Sequence, residues 1–69
     1  MVTIRVKRNI WGNWAAFEGS QRVREFGGDE WLAVNWTSER LMREDCRLSP
    51  HSDIKQAQVD AHRARLASM

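Results

Sequence analysis

Apolar and polar residues alternate from Val2 to Ile10. Val2, Ile4, Val6 and Ile10 fall at even positions, interrupted by Arg8, and Thr3, Arg5, Lys7 and Asn9 at odd ones. A period of two with one apolar side is the pattern of a half-buried strand, here with a basic outer side. Gly12 and Asn13, residue types that tolerate positive φ, form a turn flanked by Trp11 and Trp14, and Trp14 to Glu18 reads as a second short strand. Gly19, Ser20 and Gln21 supply the next turn. Residues 22–26 then alternate again, with Val23 on one side and Arg22 and Arg24 together on the other. Connections this short join only antiparallel neighbours, so the pattern predicts a three-stranded meander.

Gly27 and Gly28 end the sheet, and Asp29 stands where a helix cap belongs, with Glu30 near the positive end of the helix dipole. At 3.6 residues per turn Trp31, Val34, Leu41 and Met42 share a stripe, broken by Ser38. Leu32, Val34 and Trp36 also alternate, so a fourth strand over 31–36, followed by a shorter helix capped by Ser38, competes with a continuous helix. Pro50 interrupts the pattern. Residues 49–53 read as a linker whose Asp53 caps a last helix over 54–69. Ile54, Val59, Leu66 and Met69 are scattered around that helix, which predicts a peripheral element or a partner-binding arm. The expected fold class is therefore α+β: an antiparallel sheet of three strands, or four if 31–36 are extended, packed on one helix, plus a C-terminal helix. Residues 1–48 form the sheet-plus-helix unit and 54–69 the last helix of the same single domain.

Length and composition narrow the function more than the fold. A chain of 69 residues is one domain at most and buries only about 60% of its unfolded surface. Apolar residues at 42% and charged residues at 29% are the balance of a folded globular chain. Charge-free stretches such as 9–17 and 31–38 fall far short of the ~20 residues of a membrane span, so no membrane partner is expected. Arg5, Lys7 and Arg8 occupy the place of a signal peptide's apolar segment, which predicts a cytoplasmic protein. The single cysteine, Cys46, has no internal disulfide partner, and with His51 and His62 it shows no zinc-ligand spacing. No metal, cofactor or catalytic residue is expected. Gly27 and Gly28 are too few for a phosphate loop, and no activated nucleophile appears.

Net charge is only +2, but its distribution is uneven. Residues 1–28 hold five basic and two acidic side chains, and residues 29–48 three basic and five acidic ones. The basic stretch is the predicted sheet, which can face an anionic partner. Four tryptophans are the most telling feature of the composition. Trp31 with either Trp14 or Trp36 is expected to fill the core, whereas Trp11 continues the odd-numbered basic side. Cations interleaved with an exposed ring suit a nucleic acid, the cations on phosphates and the ring on sugar or base.

The run Val6, Lys7, Arg8, Asn9, Ile10, Trp11, Gly12, Asn13, Trp14, Ala15, Ala16, followed by Arg22, Val23 and Arg24, resembles the sheet of the plant ethylene-response-factor DNA-binding domain. In outline it is also similar to the arm-binding domain of phage tyrosine recombinases. The resemblance spans residues 4–43. It implies three antiparallel strands packed on one helix, a sheet lying in the DNA major groove, and contacts from Lys7, Trp11, Arg22 and Arg24. With Arg5 added from the strand pattern, these residues are the expected nucleic-acid contacts of a small noncatalytic DNA-binding protein of phage or mobile-element type. A second expectation is a phage-encoded inhibitor, of the anti-CRISPR or anti-restriction kind, that binds a host nucleic-acid-processing complex through an exposed Trp36 or Trp11. A homodimer completed by the last helix is a third.

Overall fold

A computed structural model describes residues 1–43 and 45–68. The order is β1 (Val2–Arg8), β2 (Trp14–Glu18), β3 (Gln21–Gly27), α1 (Glu30–Leu41), β4 (Cys46–Leu48) and α2 (Gln56–Ala67). The α+β class and the antiparallel meander of β1, β2 and β3 are as the sequence pattern predicts. The sheet, however, has four strands in the order β3-β2-β1-β4, and β4 runs parallel to β1, making the sheet mixed. Residues 31–36 are helical, so the fourth strand comes from a segment that carried no strand signal. Three residues are too few for a period of two to show.

Ile4 and Val6 of β1 are fully buried with Ala16 of β2, and Trp14 and Phe26 extend this layer. Above it α1 places Ala33 and Val34, while Ile54 and Val59 complete one continuous core. Asp29 caps α1 through its carboxylate, which accepts the Leu32 amide at 3.2 Å. The buried face of α1 is Ala33, Val34, Thr37 and Ser38, not the expected stripe of Trp31, Val34, Leu41 and Met42. Small side chains let the helix lie close over Ala16, and Thr37 satisfies its hydroxyl on the Ala33 carbonyl at 2.7 Å. Trp31 and Met42 are consequently left 59% and 75% exposed. Trp14 is the buried indole, and Trp36 is half-buried against Phe26, their ring centroids 5.6 Å apart.

The last helix begins at Gln56 rather than Ile54, with Lys55 as its cap residue; Met69, its expected end, lies outside the described residues, as does Glu44. Gln58 reaches back to accept the Lys55 amide at 3.0 Å. The helix docks on α1 largely by polar contacts: His62 Nε2 lies 3.2 Å from Asn35 Oδ1, and Arg63 donates to the Ser38 carbonyl at 3.2 Å. Scattered apolar residues are enough for such a helix, because Val59 alone supplies its fully buried apolar contact.

Residues 49–53 connect β4 to α2, but they also run along β1. The Ser49 amide donates to the Ile4 carbonyl and the Asp53 amide to the Val6 carbonyl, both at 2.7 Å. Val6 in turn donates its amide to the buried Ser52 hydroxyl at 3.1 Å. Replacing Ser52 by Ala leaves that amide buried without an acceptor, and urea unfolding should show a loss of about 1–3 kcal/mol. Ile54→Ala, which empties a fully buried site, should cost roughly 2–5 kcal/mol in the same assay. A Ser52→Ala protein as stable as the native one would mean that the segment gives the sheet no support.

Candidate nucleic-acid interface

Helices cover the side of the sheet that carries Ile4, Val6 and Ala16. Its other side carries the odd residues of β1 and their cross-strand partners. Arg5 stands opposite Phe17 and Phe17 opposite Arg22; Lys7 stands opposite Ala15 and Ala15 opposite Glu25; Thr3 stands opposite Arg47. Cross-strand partners share a face, so this open side presents Arg5, Lys7, Arg22 and Arg47, with Phe17 between Arg5 and Arg22. The Arg5 guanidinium sits 5.0 Å from the Phe17 centroid, a stacking that steers a cation across the strands without neutralising it. Arg47 donates to the Thr3 hydroxyl at 3.3 Å. Glu25 is the acidic side chain in these rows, paired with Arg22 at 2.8 Å between exposed groups. Such exposed pairs are worth little and yield readily to a phosphate.

The expectation that Arg22 and Arg24 share a face does not hold. The register shifts between Ala16 and Phe17, so Val23 is the extra residue of a bulge. Arg24 is opposite Ala16, on the helix side, and Arg22 is opposite Phe17, on the open side. A strict alternation over 22–26 hides this, since a bulge has no signature in residue type here. Arg47 was missed for the same reason as β4.

Trp11 lies beyond the end of β1, so strand parity no longer sets its direction. The β1–β2 connection is a turn whose central residues are Ile10 and Trp11, closed by the Gly12 amide on the Asn9 carbonyl at 3.0 Å. Gly12 then takes φ +81, the left-handed conformation that lets a three-residue hairpin loop rejoin the second strand; Asn13 does not share it. Ile10 and Trp11 are 90% and 78% exposed. Trp36, expected as an exposed anchor, is instead flanked by Phe26 and by the Arg40 guanidinium, 5.9 Å from its centroid. Arg40 also pairs with Glu18.

Lys7 is held at the edge of the open face by Asp53 at 3.5 Å and by the His51 carbonyl at 3.2 Å. The Arg8 amide donates to Asp53 at 2.7 Å. That amide, with the Lys7 charge adding, holds the Asp53 carboxyl below its ordinary value of 3.8 against an opposing effect of partial desolvation. Burial pushes the Cys46 thiol up, and a hydrogen bond to Asp45 adds to this, which leaves it a poor nucleophile. Among the described residues no cluster of three or more His, Cys, Asp or Glu side chains could hold a metal ion. No described helix is long and apolar enough to cross a membrane. No protein-family model, curated protein or solved structure matches this chain.

A carboxyl whose folded value is lowered stabilises the fold above its unfolded value, and that contribution is lost as pH falls through the folded one. Thermal melts of native protein and Asp53→Asn should therefore differ near neutral pH and converge below pH 3.8. A gap that persists undiminished into acid would show that the carboxylate charge is not what matters.

Proposed function

We propose that this chain is a small noncatalytic protein that binds double-stranded DNA through the open face of its sheet. One observation carries the reading: Arg5, Lys7, Arg22 and Arg47 share the side of the sheet that no described helix covers, with Phe17 between Arg5 and Arg22. A two-sided sheet in a chain this short spends its helices on one face, and the other face is free to be functional. Four cations spread over three strands match phosphates along a groove better than they match a single small anion. The resemblance to sheet-reading DNA-binding domains supports the same geometry, with Arg47 added to the expected contacts and Arg24 removed from them.

If four phosphates are neutralised, log affinity falls with log salt at a slope of about −3.6. A titrated fluorescent duplex should show that slope for native protein, and a shallower one by about 1 for each of Lys7→Ala, Arg22→Ala and Arg47→Ala. Arg24→Ala should leave the slope unchanged. Binding that is indifferent to salt, or Arg24→Ala behaving like Arg22→Ala, would remove the open face as the contact surface.

A second reading, an inhibitor that binds a host nucleic-acid-processing complex, draws on the opposite side of the molecule. Trp31 lies exposed beside His62, edge to face at 5.8 Å, and Met42 projects from the end of α1. Exposed aromatic and Met side chains are what interface centres use. A complex recovered from nuclease-treated lysate and lost on Trp31→Ala, but kept on Arg22→Ala, would favour it over DNA binding.

A further inference from the structure

The β1–β2 turn holds its backbone still while offering its two apolar side chains to solvent. The Asn9 side chain accepts the amides of Trp11 and Asn13, both at 2.9 Å, and the Asn9 amide donates to the Asn13 carbonyl at 2.9 Å. With the Gly12 to Asn9 bond, four hydrogen bonds brace a loop of three residues. A loop that only reverses the chain has no use for Ile and Trp at its centre, where polar residues are the usual choice. Neither side chain returns to the core: Ile10 is 90% exposed and Trp11 78%. The arrangement is a stiff, apolar tip.

Charge around the tip and on the adjoining face bears on what the tip approaches. The first acidic residue of the chain is Glu18, so the hairpin up to and past the tip carries Arg5, Lys7 and Arg8 with no acid of its own. Two acidic side chains border the base of the tip in space, Asp53 and Glu30, which line a cleft with Arg8, Ile10 and Trp14. Asp53 is engaged by the Arg8 amide and Lys7, and Glu30 accepts from Gln58 at 3.3 Å. Three cations against two carboxylates leave the surroundings of the tip only weakly positive, so the case for a polyanion is the basic open face that adjoins it.

We infer that the tip is a wedge: with the open face on a duplex, Ile10 and Trp11 enter the groove and pry apart a single base step, bending the DNA. This rests on the nucleic-acid reading of the sheet. From Lys7 to Trp11 the chain spans at most about 14 Å, well within one helical turn of DNA, roughly 34 Å. The phosphate contacts and the wedge therefore act on the same turn. Apolar side chains inserted at a base step kink a duplex, and a braced loop loses little freedom when it inserts.

The test is a duplex labelled at both ends for energy transfer and carrying a fluorescent base analogue, mixed with native protein or with Ile10→Ser, Trp11→Ser. Native protein should bring the ends closer and raise the analogue's emission. The double variant should keep the salt slope, lose both signals and bind on the order of tenfold more weakly. Native protein that binds with a straight, fully stacked duplex would overturn the wedge and leave the open face standing, as would a variant that bends DNA equally well. No binding by native protein at any salt concentration would remove the face and the wedge together and leave the tip as an anchor for a protein.

Discussion

The main chain of β1 must find hydrogen-bond partners along both of its edges, because its side chains are at the centre of the core. Ile4 and Val6 are fully buried, so an amide or carbonyl left open beside them would cost about as much as a lost hydrogen bond. On one edge β2 answers this demand with a regular antiparallel ladder. On the other edge β4 pairs over three residues, and from there single groups take over: the Ser49 amide, the Ser52 hydroxyl, and the amide and carboxylate of Asp53. Residues 46–53 are thus a strand that dissolves into side-chain contacts as it nears the hairpin. Its course fixes Ile54 in the core and starts α2 where it can reach α1.

That arrangement also decides which face is left open. Reaching the second edge of β1 from the end of β3 requires the chain to cross the sheet, and α1 makes the crossing over the Ile4, Val6 and Ala16 side. Once α2 has packed on α1, no described residues remain to cover the far side. Its inventory is what solvent allows, arginine and lysine stems lying across the strands, with Phe17 sheltered beneath Arg5. The two bulges of β3 serve the same economy, turning Phe26 into the core and sending Arg22 and Arg24 to opposite sides. They also twist an exposed edge strand away from pairing with another chain, as its charged side chains do.

The elements of this fold that were legible in the sequence are those governed by a repeating local rule. Alternation gave β1 and β3, the turn residues on either side gave β2, and Asp29 before Glu30 gave the start of α1, because each rests on contacts within a few residues. What escaped depends on partners far along the chain. β4 is a strand only because β1 needs an edge partner, and Asp53 serves β1 rather than capping a helix for the same reason. The tryptophans show the limit most clearly. Size alone favoured Trp31 for the core, yet α1 approaches the sheet through Ala33 and Thr37, and the large ring is turned outward. Of the candidate site, Arg5, Lys7 and Arg22 could be read from strand parity, Arg24 was misassigned by a bulge, and Arg47 could be found only with β4 in place.

Contacts to phosphates position a protein on a duplex but carry no sequence information. The open face has cations and a covered phenyl ring, and Arg5 and Arg47 are already engaged with Phe17 and Thr3. A face of that composition offers few free groups for the fixed donor and acceptor pattern that distinguishes base pairs in the major groove. On the proposed binding mode, any preference among sequences comes from deformation at the step where the hairpin tip would enter. Pyrimidine–purine steps unstack most easily, so selectivity of that origin tracks flexibility rather than a consensus of contacted bases. It would also be separable from affinity, since the cations proposed to hold the duplex stand on β1, β3 and β4 and the side chains proposed to distort it stand in the β1–β2 turn. Such a division of labour is available to a chain of 69 residues because neither role needs a pocket, only a bare sheet and a stiff turn.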